Sequence, residues 1–161
     1  MAVPVAKGRL SSSMPPFAAL RESPRMARAY ASVVLSVWGL GEFSDDAGLI
    51  LDELVANAVT ASERAGDADI LVIRVCLITD GDVLTIEVWD QAPGVPQLRN
   101  AGPLAESGRG LAIVDDLTRG SWGCQPAIGQ RGKCVWAELP LRDKSASAVL
   151  LAAPCMPGVS W

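Results

Sequence analysis

Glu53 and Asn57 stand one helical turn apart in the run Glu53-Leu54-Val55-Ala56-Asn57. An amide oxygen is a competent ligand for Mg²⁺, and a neighbouring carboxylate can orient or deprotonate an attacking hydroxyl or water. Taken alone the pattern is weak, since the same pair on the flank of a helix can simply face water. A second group is Asp90-Gln91-Ala92-Pro93-Gly94. Its carboxylate could accept a hydrogen bond from an exocyclic amine such as that of adenine, and Gly94 lets the backbone come close to a flat ring. The plain alternative is a strand-ending Asp that begins a turn. In Gly108-Arg109-Gly110-Leu111 two glycines surround a helix start, where free N–H groups and the helix dipole suit phosphate and Arg109 adds a charge-assisted contact. An ordinary glycine-rich loop would read the same. Gly132-Lys133-Cys134-Val135-Trp136 is not a Walker loop: Ala127 stands where the first glycine belongs and Cys134 where Ser or Thr belongs. It reads better as a turn entering a core strand.

The chain has 161 residues and no histidine. That removes Ser-His-Asp and Cys-His nucleophile systems, His-ligated zinc and imidazole acid/base chemistry, leaving proton transfer to a carboxylate, Lys, Tyr or Cys. A formal charge of −4 argues against nucleic acid as a partner. Cys76, Cys124, Cys134 and Cys155 are scattered without a Cys-x-x-Cys pair and read as reduced thiols of a cytoplasmic protein. Residues 1–20 lack the continuous apolar core of a signal peptide or anchor, and the apolar run 148–153 is too short to span a bilayer, so no membrane association is expected.

These groups need elements to hold them. Three regions separate: a small-residue, serine- and proline-containing tail over 1–22, expected to be flexible; a domain over 23–142 with all the strong periodic signals; and a C-terminal extension over 143–161. Ser23-Pro24 reads as an N-cap and first helical position, followed by Ala27, Tyr30, Ala31, Val34 and Trp38 at helical spacing. A second helix is predicted from Ser44 to about Arg64, with Asp45 and Asp46 in its first turn and a stripe of Ala47, Ile50, Leu51, Leu54, Ala58 and Ala61. At 100° per residue, Glu53 and Asn57 fall side by side on the flank of that stripe.

Strands are predicted over 70–79 and 83–89 around an Asp80-Gly81 hairpin turn. Asp90 shares the parity of Leu84, Ile86 and Val88, which puts a carboxylate on the apolar side and calls for a partner. A long Gly/Pro-containing connection over 91–108 reads as a lid, followed by a short helix and strands near 121–125 and 133–141. The order predicts an α/β (α+β) two-layer sandwich: a mixed sheet with helices on one face.

The four groups, taken in order, resemble the N, G1, G2 and final-strand motifs of the GHKL ATPases, and most of all the short anti-sigma-factor serine/threonine kinases of actinobacterial type. The resemblance covers roughly 23–141. It implies a Bergerat ATP-binding fold with ATP held between helix, sheet and lid. By position Asn57 would coordinate Mg²⁺ and Glu53 would be the general base. Asp90 would bind the adenine amino group, with Gly94 beneath the base. Gly108, Arg109, Gly110 and Leu111 would lie along the phosphates. Cys134, standing where the family often has Thr, would contact phosphate or water. The resemblance further implies a sigma factor and a small antagonist (anti-anti-sigma) protein as partners, the latter phosphorylated on a hydroxyl, and a homodimer. The alternative is a nucleotide-gated module that sequesters a partner and transfers nothing.

Overall fold

A computed structural model describes residues 8–66, 71–96, 110–129 and 131–141. Residues 97–108 of the connection read as a lid and the C-terminal extension lie outside them, and with them Gly108, Arg109 and Cys155.

Helix α1 (Ser23–Val37) buries Ala27, Ala31 and Leu35, one residue per turn, against helix α2 (Ser44–Ala65). The small alanines let the two axes approach. Gly48 lets the Arg28 side chain lie across α2, where a β-carbon would meet Arg28 Nε at 2.9 Å. Arg28 then donates to Asp52 Oδ2 at 2.8 Å. Helix α2 begins with Asp45 and Asp46, favourable at the positive end of the dipole, and stops at Gly66, whose φ of 62° suits glycine. Its stripe of Ala47, Ile50, Leu51, Leu54 and Val55 is essentially fully buried. Each large side chain of that kind contributes roughly 1.5–3 kcal/mol by leaving water.

The stripe packs on a six-stranded sheet of β1 (Leu10–Ser13), β2 (Phe17–Ala18), β3 (Val72–Thr79), β4 (Val83–Asp90), β5 (Trp122–Pro126) and β6 (Lys133–Pro140). The strand order is β1-β3-β4-β6-β5, with β2 also on β3. Period-two alternation sends Ile73, Val75 and Leu77, Leu84, Ile86 and Val88, and Val135, Ala137 and Leu139 into one core under the helices. The two-layer α/β architecture expected from the sequence is therefore present.

Its sheet is not mixed: every described pairing is antiparallel. The crossover from β4 through α3 (Gly110–Thr118) does deliver β5 in the direction of β4, as a parallel connection would. Strand β6 returns from β5 and inserts between the two, so each hydrogen-bonded neighbour is antiparallel.

Two expectations at the N-terminus are corrected. Residues 10–18 are not a tail: β1 pairs Leu10 with Thr79 through Ser13 with Cys76, and β2 pairs Phe17 with Ile73. Ser23 does not cap α1. Its hydroxyl donates to the Ala18 carbonyl at 2.8 Å and accepts from the Leu20 N–H at 3.0 Å, tying β2 to the helix start. No helix among the described residues is long and apolar enough to cross a membrane.

Candidate functional site

Where α2, the end of β4, the start of β6 and the start of α3 meet, they enclose a cavity of about 510 Å³. That size is ordinary for a small-molecule site. The cavity brings together Glu53, Asn57, Asp90, Gly94, Gly110 and Leu111, all six of which the sequence had singled out.

Glu53 and Asn57 are half-buried on the flank of α2, as the helical spacing predicts. The Glu53 carboxylate lies against Gly110 at the start of α3, so closely that a side chain at 110 would overlap it. Burial raises its pKa above the ordinary 4.5, and the nearby charge of Asp52 raises it further. Asn57 Nδ2 is the one buried side-chain nitrogen or oxygen among the described residues without a hydrogen-bond partner. The amide can be turned end for end, which exchanges that nitrogen for the carbonyl oxygen. Either way a buried amide costs roughly 1–3 kcal/mol until a ligand completes it.

Asp90 ends β4 with its carboxylate on the core side, as its parity requires, and its partner is Lys133. Lys133 Nζ donates to Asp90 Oδ1 at 2.8 Å and to the Ala92 carbonyl at 3.0 Å, and the Ala92 N–H donates to the same Oδ1 at 2.9 Å. Burial pushes the Asp90 carboxyl up, while the Lys133 hydrogen bond and charge pull it down. Gly132 makes the approach possible: a β-carbon there would strike the Asp90 backbone, and its φ of 108° is a glycine conformation. Beside Asp90, Gly94 has a φ of 94° and open space at its β position.

Cys134 is not in the cavity. Strand alternation places it opposite Trp89 and Gln125, on the face of the sheet away from the helices. Burial there pushes its thiol up to about 12, which leaves it protonated and inert at neutral pH. The β6 side chain that enters the cavity is Lys133. The signal was present: Lys133 shares the core-facing parity of Val135, Ala137 and Leu139. Arg64 was also overlooked. Seven residues beyond Asn57 on α2, it lines the same cavity and brings a cation to the wall.

Helix α3 is held in place from its far end. Trp122 Nε1 donates to Asp115 Oδ1 at 2.8 Å, linking α3 to β5, and Leu111 and Val114 are buried beneath it. The start of α3 therefore has a defined position against Glu53.

The family model for the histidine kinase-like ATPase domain matches residues 17–138, and the cavity lies within that span. The chain belongs to that family. No curated protein is significantly similar to it. A histidine kinase-like ATPase domain carries an ATP site, and the residues of this domain fit one: a carboxylate and a glycine with open space beside it at one corner, a carboxylate against a helix start at another. They also fit Mg²⁺. The described residues hold no group of three His, Cys, Asp or Glu that could cage a metal alone. A single amide oxygen at Asn57 suits an ion that takes its remaining ligands from phosphate and water.

Proposed function

We propose that this histidine kinase-like ATPase domain is an anti-sigma-factor-type serine/threonine protein kinase, transferring phosphate from ATP to a hydroxyl of a small antagonist protein. The observation that carries the reading is the Glu53 carboxylate against Gly110 at the start of α3, with the unpartnered Asn57 amide one turn along α2. A carboxylate with a raised pKa in that corner is placed to act on a nucleophile at the terminal phosphate of a bound nucleotide.

In this reading Asp90 accepts from the base amine, Gly94 lies under the ring, and Gly110 and Leu111 face the phosphates with Gly108 and Arg109 preceding them. Asn57 would hold Mg²⁺, which supplies neutralisation of phosphate charge when bound. Glu53 takes the proton of the acceptor hydroxyl as its oxygen bonds to the terminal phosphorus. The bond from that phosphorus to the bridging oxygen breaks, and ADP leaves with the electron pair. With no histidine in the sequence an imidazole base is excluded, and of the groups left Glu53 is the one that lies against the start of α3. A sigma factor as second partner, a homodimer and a cytoplasmic location belong to the same proposal.

The test is equilibrium ATP binding with and without Mg²⁺, followed by incubation with labelled ATP and candidate antagonist proteins. Label on a serine or threonine of the antagonist supports the kinase. Mg²⁺-dependent binding of ATP that retains an antagonist or sigma factor with no label transferred sinks it in favour of a sequestration module.

A further inference from the structure

Lys133, like Arg64, is a charged group of the cavity that the proposed reaction leaves without a task. Its side chain is 8% exposed and that of Asp90 1%, so the pair is shielded from bulk water. The ammonium spends one hydrogen on Asp90 Oδ1 and one on the Ala92 carbonyl. An ammonium has three donors, so among the described residues one remains. The carboxylate is half used as well, because Lys133 and the Ala92 N–H both bond to Oδ1, and Oδ2 takes no hydrogen bond among the described residues. Both residues line the cavity. Its corner therefore offers a ligand one acceptor and, beside it, one charged donor.

We propose that Lys133 is a specificity-determining residue that donates directly to the ring nitrogen next to the exocyclic amine of the bound base, while Asp90 Oδ2 accepts from that amine. The proposal rests on the ATP reading of the cavity and adds which edge of the base is read, and by which two side chains. Adenine carries its N6 amine between two unprotonated ring nitrogens, N1 on the six-membered ring and N7 on the five-membered ring, and the nitrogen assigned to Lys133 is N1. The edge formed by N6 and N1 complements a carboxylate beside an ammonium, donor to acceptor and acceptor to donor. Burial gives the contact its weight, since a charged donor in a dry corner loses more when its acceptor is removed than the same donor in water. An ion pair that merely neutralised a buried Asp90 would be indifferent to what the base carries at N1.

The experiment uses the full chain with Mg²⁺ and measures equilibrium binding of ATP and two analogues. In one analogue N1 of the adenine is replaced by C–H; in the other, N7, which flanks the amine on its opposite side, is replaced by C–H. The expected result is that the N1 analogue binds about ten- to a hundredfold more weakly than ATP, the range for a hydrogen bond to a charged group, while the N7 analogue binds like ATP. Lys133→Met, with its fold checked by circular dichroism, is expected to bind ATP and the N1 analogue equally. Weaker binding of the N1 analogue alone by the unsubstituted chain supports a donor at N1 even if that variant does not fold. Weaker binding of the N7 analogue alone overturns the assignment to N1. Equal binding of ATP and the N1 analogue by the unsubstituted chain overturns the role of Lys133 and leaves the ATP site standing. Failure of ATP itself to bind overturns the reading of the cavity and this proposal with it.

Discussion

Glu53 works as a base only when ionised, and burial works against ionisation. Phosphate transfer should therefore rise with pH through a midpoint above the ordinary glutamate value of 4.5. Glu53→Gln should abolish that acid limb and lower transfer by about 10²–10⁴-fold, with ATP still bound. A pH–rate profile unchanged by the substitution would remove Glu53 from the chemistry. The same shift has a consequence for stability. A folded pKa above the unfolded one contributes stability that is present below the unfolded value and lost as pH rises through the folded value. Glu53→Gln should thus raise Tm at neutral pH rather than lower it. Asn57→Ala should behave alike: it deletes a buried amide end that has no partner, so Tm should not fall, while Mg²⁺-dependent ATP binding disappears. A drop of several degrees with binding intact would make Asn57 a structural residue. Glu53, Asn57 and Asp90 were legible because helical spacing and strand parity fix the face a side chain shares. Cys134 was expected at the site but faces away from the cavity, because in a strand neighbouring residues lie on opposite faces, and the side chain that enters is that of Lys133, one position earlier.

The elements that carry these side chains meet through glycines, and two of those glycines make opposite predictions. At Gly110 an added methyl group would displace only the far end of the flexible Glu53 side chain. Alanine is also the better helix former, by roughly 0.8–1 kcal/mol in a helix interior and by less at a first residue such as Gly110. Gly110→Ala should therefore leave Tm unchanged or higher and still depress transfer, because the base has been moved. At Gly132 the obstacle is the Asp90 backbone, and the φ of 108° is closed to alanine without strain. Gly132→Ala should cost about 1–3 kcal/mol from the backbone conformation alone, read as a lower urea midpoint, and should weaken nucleotide binding by disturbing the Asp90–Lys133 pair. If Gly110→Ala proved the more destabilising of the two, the contact of Glu53 with α3 would be wrong. The helix over 44–65 and the hairpin at Asp80-Gly81 were legible since each rests on short-range signals: acidic first turn, apolar stripe, turn residues. Strand order was not, because the insertion of β6 between β4 and β5 depends on pairings between segments far apart in the chain.

At the scale of the whole molecule the least legible part is the first strand, whose run of serines carries no apolar alternation. Its role is set by the sheet it joins. Strand β3 has β4 on one edge and, on the other, β1 and β2 in succession. Met14 continues the cover by donating its N–H to the Val75 carbonyl at 2.9 Å, and the Ser12 hydroxyl meets the Tyr30 hydroxyl on α1. The match to the ATPase family begins at residue 17, after β1. A chain starting at Phe17 would keep the family domain yet uncover the β3 backbone from Cys76 to Thr79. Losing several backbone hydrogen bonds at about 1 kcal/mol net each should cost a few kcal/mol and lower Tm visibly. The bared edge also presents unpaired N–H and C=O groups beside branched apolar residues, a template for another chain. The truncated protein should therefore self-associate with rising concentration in light scattering, and adding salt should not disperse it. A truncated chain that stays monomeric with an unchanged Tm would show that residues 1–16 contribute nothing to the sheet. Because the cavity residues are on α2, β4 and the turn after it, β6 and α3, the cut does not touch them. ATP affinity per folded molecule should be preserved, and that separates protection of the sheet edge from any part in the nucleotide site.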